Sequence, residues 1–166
     1  MTLDALAYRR VVGRFATGVT VVTTVSPDGE WHALTCNSFT SVSLEPVLVL
    51  FCAEKIARFH DAVLETGTWA VSVLSTEHER ASRHFARRGR ALDEQFAQVP
   101  TVPGPLTGAP VLHGALAALE CRTVALTDAG DHTVVMGEVL GAALPDPDAA
   151  PLLYFEGAYR TVGPTA

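Results

Sequence analysis

The sequence predicts a mainly β protein with short helices, its antiparallel strands closed or nearly closed into a barrel. Three observations predict this. Runs of β-branched and aromatic residues recur along the whole chain, and such residues fit a pleated surface better than a helix. Turn signals, not regular helical crossovers, join most of them, which disfavours a doubly wound parallel sheet. Closing the sheet on itself also removes the edges that a long row of strands would expose. At 166 residues, 48% hydrophobic and 18% charged, the chain suits one domain, residues 1–166, with one sizeable core.

Taken in order, Leu3, Leu6, Ala7, Val11 and Phe15 are spaced by threes and fours, which predicts an amphipathic helix over Leu3–Ala16. The β-branched run Val19–Val25 reads as a strand, Pro27-Asp28-Gly29 as a turn, and Trp31–Val42 as the second strand of a hairpin. Val47–Cys52 is apolar on both faces and is expected inside the sheet. Ile56 to Leu64 recur with helical spacing, and Gly67 supplies a C-cap. Trp69–Leu74 reads as a strand. Ser75 to Glu79 has the form of a capping box opening a helix through Phe85. Between Gly89 and Gly114 four prolines and four glycines leave an irregular stretch, with a short helix at Leu92–Ala97. Two long strands, Ala115–Thr127 and His132–Ala143, flank an Asp128–Asp131 turn, and two short strands, Leu152–Phe155 and Ala158–Val162, close the chain.

The net charge of −6 and pI near 5.4 argue against a nucleic acid or an anionic membrane as partner, because either needs a concentrated basic patch. The run Arg87-Arg88-Gly89-Arg90 is short and reads as a solvated loop or a handle for a small phosphate. Cys36, Cys52 and Cys121 are odd in number and widely spaced, which suggests neither a disulfide framework nor a zinc knuckle. No basic-then-apolar leader and no transmembrane-length apolar run occurs, so the expected compartment is a reducing cytoplasm. No metal site is expected, since His78 and His84, six apart, fall on different faces of a helix. No two glycines are separated by one residue, so any dinucleotide binds without a Rossmann phosphate turn.

Two segments are candidates for chemistry. In Thr35-Cys36-Asn37-Ser38-Phe39-Thr40-Ser41 nearly every residue is small and polar on both faces, which breaks the usual alternation. It is either an edge strand whose hydroxyls bond solvent or a wall for a flat, polar ligand. His132, at the mouth of a strand after Gly130-Asp131, is either a surface histidine or a ligand-positioning one.

Four segments in order, Phe15–Thr23, Leu34–Pro46, Gly130-Asp131-His132 with Gly137-Glu138-Val139, and Pro151–Tyr159, together resemble the flavin reductases of two-component flavin-dependent monooxygenases. The resemblance implies a Greek-key, FMN-binding split barrel, a homodimer, and FAD or FMN bound near the subunit interface. It implies NADH or NADPH as the reductant, NADH being the first choice, and a separate monooxygenase served by diffusing reduced flavin. The cofactor-binding positions it implies are Thr35, Cys36, Asn37, Ser38, Cys52, Ala53, Lys55, Ala57, Arg58, Phe59, Gly130, Asp131 and Tyr154, with His132 positioning nicotinamide or flavin. Ala57 and Phe59 stand where many relatives carry hydroxyls, so Lys55 and Arg58 are expected to supply phosphate contacts by charge. Two other readings remain on the same fold: a flavin- or haem-binding protein without turnover, and a flavin oxidase acting on a small amine.

Overall fold

The computed structural model describes residues 4–92 and 94–163. Helix α1 (Ala5–Val12) is capped by the Asp4 carboxylate, which accepts from the N–H groups of Leu6 and Ala7 at 3.2 and 3.3 Å. It is shorter than the predicted Leu3–Ala16, and Leu3 lies outside the described residues. Past Gly13 the backbone tightens, with Arg14 N–H on Val11 O and Phe15 N–H on Val12 O, so the helix closes there and does not run on to Ala16. None of its residues is buried.

Strands β1 (Thr17–Gly18) and β2 (Thr20–Val25) follow, and β3 (Trp31–Cys36) pairs antiparallel with β2. The predicted single strand Trp31–Val42 is in fact two. It breaks at residues 37–39, and β4 (Thr40–Leu44) pairs elsewhere, with β5 (Val47–Glu54). Helix α2 (Arg58–Thr66) ends at Gly67 in the left-handed region (φ 64°), as its C-cap role requires. After β6 (Thr68–Val73), a 3-10 turn over Thr76–His78 leads into α3 (Glu79–Phe85). The capping partner of Ser75 is His78, not Glu79: its Nδ1 lies 2.8 Å from Ser75 Oγ and accepts from Ser75 N–H at 3.4 Å.

The expected irregular stretch contains a small hairpin, β7 (Thr101–Pro103) with β8 (Pro110–Leu112). The short helix expected at Leu92–Ala97 is instead a series of turns, Asp93 lying outside the described residues. The Gln95 carbonyl accepts from His84 Nε2 at 2.8 Å and its buried amide donates to Trp31 O, so this backbone is held from outside. Strands β9 (Ala117–Ala129) and β10 (His132–Ala143) form the longest ladder, and β11 (Leu153–Phe155) and β12 (Ala158–Arg160) pair beside β1.

The main sheet has the order β3-β2-β6-β9-β10-β5-β4, antiparallel throughout. Its outermost strands, β3 and β4, are neighbours in sequence. Six flat inter-strand steps of about 4.8 Å would separate them by roughly 29 Å. The chain from Cys36 to Thr40 reaches at most about 14 Å. The sheet must therefore curl until its edges approach, and no ladder among the described residues joins them. The result is a barrel split between β3 and β4. Core residues lie on both faces of the sheet. Val22, Phe51, Phe59, Val63, Trp69 and Val135 form one cluster; Val21, Leu74, Phe85, Leu112 and Leu152 form another beneath α3. No helix among the described residues is long and apolar enough to cross a membrane.

Candidate active site

The split determines where polar backbone is left for a ligand. The β4 ladder on β5 ends at Thr40↔Leu50, so beyond that pair β5 is laddered only to β10, through Cys52↔Val134, Ala53↔Thr133 and Glu54↔His132. On the open side the Cys52 N–H donates to Ser38 Oγ at 2.9 Å. Ser38 thus ties the bridge between the edges to β5.

The polar run divides by side-chain fate. Thr35 Oγ1 donates to the Ser82 carbonyl of α3 at 2.8 Å, so this hydroxyl's proton holds the wall against α3. Ser82 Oγ in turn lies 2.7 Å from Tyr159 OH. Cys36 packs against the core with its Sγ 3.3 Å from Thr20 Oγ1, and burial pushes its thiol up, away from nucleophilic character. Asn37 and Ser38 line a cleft of about 980 Å³ together with Thr17, Thr20, Thr40 and Tyr154, walled by Val12, Phe15 and Phe39. Thr17 Oγ1 is buried there without a hydrogen-bond partner. A mostly apolar cleft with a few convergent polar groups and one orphaned hydroxyl fits a flat heteroaromatic ring with polar edges.

Lys55, Arg58 and Gly130 to His132 do not line that cleft; they gather at the other end of the same β5 segment. The Lys55 ammonium is held by the Asp128 carboxylate and by Gly130 O at 2.7 Å, and the Lys55 backbone N–H donates to Asp131 O at 3.0 Å. This ion pair holds the Asp128 carboxyl below the usual range. The Asp131 carboxylate lies 2.7 Å from His132 Nδ1, which lowers the Asp131 pKa and orients the imidazole; among the described residues its Nε2 has no hydrogen-bond partner. Next to His132, Thr133 Oγ1 lies 2.9 Å from His60 Nε2, which ties α2 to this end of β10.

Ala53 and Phe59 are core residues, 0% and 3% exposed, and bring only backbone to the site. Ala57 is the N-cap of α2 but has no side chain to accept from the first-turn N–H groups, so this helix start is open to an anion. Arg58 beside it donates to the Arg90 carbonyl. The two groups of residues are thus joined by Cys52 to Lys55, a span of about 10 Å along the strand. Thr17, Thr20 and Phe15 were not singled out as ligand contacts from the sequence, although all three lie in the Phe15–Thr23 segment that carries the resemblance.

A model of the flavin reductase like domain matches residues 12–163. The chain belongs to the flavin reductase family. An NADH-dependent FAD reductase of Streptomyces globisporus is 44% identical over 164 residues, covering 98% of this chain and 88% of the relative. The NADH-dependent FMN reductase SmoA of Agrobacterium fabrum is 44% identical over 156 residues, covering 94% and 85%. Among solved structures, an NADH:FAD oxidoreductase of Streptomyces globisporus in complex with NAD and FAD fragments superposes with TM-score 0.91 at 45% identity, covering 98% of this chain and 95% of that one. The flavin reductase component of a bacterial two-component tryptophan halogenase superposes with TM-score 0.89 at 41% identity, covering 96% and 98%.

Proposed function

We propose that the chain is an NADH-dependent flavin reductase that releases reduced FAD or FMN to a separate flavin-dependent monooxygenase. One observation carries the reading. The polar bridge at Asn37 and Ser38, the β5 segment Cys52 to Lys55, and the Gly130-Asp131-His132 turn form one continuous surface in a member of the flavin reductase family. Relatives of nearly the same length are named for NADH-dependent reduction of FAD and of FMN.

The hydride transfer, from nicotinamide C4 to flavin N5, is chemistry that the two bound cofactors supply between themselves. The chain's work is binding, orientation and exclusion of water. Asn37 offers both amide donor and acceptor to a ring edge. Cys36 and Ser38 contribute backbone, and Ser38 also fixes the spacing to β5. Tyr154 and the apolar side chains around it wall the cleft against solvent. At the far end Arg58 and the uncapped first turn of α2 receive a phosphate, while Lys55 is already occupied and serves mainly to hold the 128–131 turn. His132, held by Asp131, positions the nicotinamide through Nε2 and needs no proton transfer of its own.

We infer a homodimer as well. Helix α1 buries none of its residues, and Leu6, Val11 and Phe15 are 59%, 72% and 74% exposed beside the cleft, an apolar surface that a second copy would cover. The three free cysteines and the use of NADH favour a reducing cytoplasm. Steady-state NADH oxidation with FAD, FMN and riboflavin tests the function: turnover with at least one flavin is expected, and none with any would refute the reading. Light scattering of the purified chain tests the dimer, and a monomer mass would refute it.

A further inference from the structure

Two histidines, each with a neighbouring aspartate at Nδ1, meet at the start of β10. His132 lies against Asp131. His60, the third residue of α2, has its Nδ1 2.8 Å from Asp61 Oδ1 and its Nε2 2.9 Å from Thr133 Oγ1. The function proposed above uses only the first pair. A carboxylate only accepts, so His60 Nδ1 carries the hydrogen, and the neutral ring then accepts the Thr133 hydroxyl proton at Nε2. The His60 side chain is largely buried and Thr133 is buried, so each is the other's partner in place of water.

The anchor for this tie is rigid. Helix α2 buries Phe59, Ala62 and Val63, and the Phe59 ring meets Phe51 with centroids 6.1 Å apart. What it holds is the end of a ladder. Thr133 pairs with Ala53 on β5 and with Asp128 on β9, and the next rung, His132 with Glu54 and with Ala129, is the last. An end rung opens more readily than the rungs inside it. Successive residues of a strand face opposite sides, so fixing the Thr133 side chain on α2 fixes the backbone that aims His132 the other way. Lys55 already grips the 128–131 turn from β5, and His60 supplies a second hold from the buried face.

We propose that His60 is a positioning residue for nicotinamide binding: through Thr133 Oγ1 it holds the end of β10 so that the His132 imidazole meets the ligand in one orientation. The proposal rests on the reductase reading for the role of His132. It gives Asp61, His60 and Thr133 one task, carried out through the strand and not by touching the ligand.

NAD+ is the probe, titrated calorimetrically into the protein saturated with FAD or FMN so that no turnover intervenes. Thr133→Val removes the hydroxyl at nearly constant shape. It is expected to raise the NAD+ Kd about fivefold, as the loss of one neutral hydrogen bond does, with the flavin Kd unchanged. Thr133→Ser keeps the hydroxyl and is expected to keep the wild-type Kd. A cycle with His132→Ala separates positioning from plain support: in that background Thr133→Val should have no further effect, because nothing is left to position. Thr133→Val also leaves His60 Nε2 buried without a donor. Combining it with His60→Leu removes both partners, so stability should recover while the NAD+ Kd stays raised. A wild-type NAD+ Kd in Thr133→Val, an equal effect with and without His132, or affinity that recovers together with stability would each overturn the proposal. Absence of NADH oxidation with every flavin would instead remove the reductase reading. The tie is then read from the ring resonances of His132, which Thr133→Val is expected to shift and Thr133→Ser to leave in place; unshifted resonances in Thr133→Val would overturn it.

Discussion

Replacing Gly137 by alanine tests how the barrel interior positions the strand that carries His132. A Cβ at this position collides with Trp69 Cζ2 and lies 3.1 Å from Trp69 Cε2 and 3.2 Å from the Arg122 carbonyl oxygen. Trp69 has little room to give way. It is fully buried, its Nε1 donates to Thr123 Oγ1 at 3.1 Å, and its ring meets Phe51 edge-on with centroids 4.8 Å apart. Overpacking of this kind costs about 1–3 kcal/mol. Displacing the indole adds a lost hydrogen bond of about 1 kcal/mol and a weakened aromatic pair of about 0.5–1.5 kcal/mol. The reduced freedom of the unfolded chain returns about 0.4–1 kcal/mol. The net expectation is a loss of about 1.5–5 kcal/mol, read by urea denaturation followed by near-ultraviolet circular dichroism. The β9–β10 register already shifts between Met136 and Gly137, so the strain falls on an irregular point five residues from His132, and reductase activity should fall with stability. Trp69→Phe should relieve the clash, giving a coupling above about 1 kcal/mol in a double-mutant cycle. A stability change below about 0.5 kcal/mol for Gly137→Ala would refute the packing argument.

Ser38→Ala removes the acceptor for the Cys52 N–H, and is expected to cost about 1–2 kcal/mol in stability and to raise the flavin Kd; an unchanged fluorescence titration would take Ser38 out of the ligand platform. His132→Ala is expected to raise KM for NADH while flavin binding persists, and Asp131→Asn to do the same more mildly by releasing Nδ1; wild-type kinetics in both would remove this pair from the mechanism. His32 is held below its ordinary value of about 6.5 by burial. Its unfolded state therefore binds the proton first on acidification, so the contribution is present above pH of about 6.5 and declines as pH falls toward the folded pKa. His32→Gln should flatten that part of the stability–pH curve, and an identical slope in the variant would show that other groups set it.

Much of the architecture was legible because alternation, β-branching and turn residues act locally. The β2–β3 pair, α2 with its Gly67 cap and the β9–β10 ladder all follow from such signals. The break at residues 37–39 was not legible, because it has no glycine or proline to mark it; it exists because the curled sheet brings its two edges together, a non-local event. The β7–β8 hairpin was hidden in a stretch rich in proline and glycine, and its tip is held by a remote partner. The Glu120 carboxylate accepts from the N–H groups of Leu106 and Thr107 at 2.9 and 2.7 Å. Within the candidate site, the polar run reaches the cleft through Asn37, Ser38 and Thr40, but its pattern does not give the direction of each side chain. Thr35 and Cys36 turn their polar atoms to Ser82 and Thr20, partners that short-range pattern cannot reveal. Ala57 was noted as a missing hydroxyl, and only the helix start beside it shows that the loss leaves backbone donors open.

The three residues that bridge the sheet's edges have a mechanical consequence. They are the seam of the barrel and, in the function proposed, the shelf on which a ligand would rest, so occupancy would fasten the place where strand-to-strand bonding is interrupted. A bound ring would then act as a removable stitch. It would add protection to the amides of Cys52 and Glu54 and raise the melting temperature with ligand concentration. Discharging the ligand would loosen the same seam, so turnover of a diffusible ligand and breathing of the barrel would be one motion.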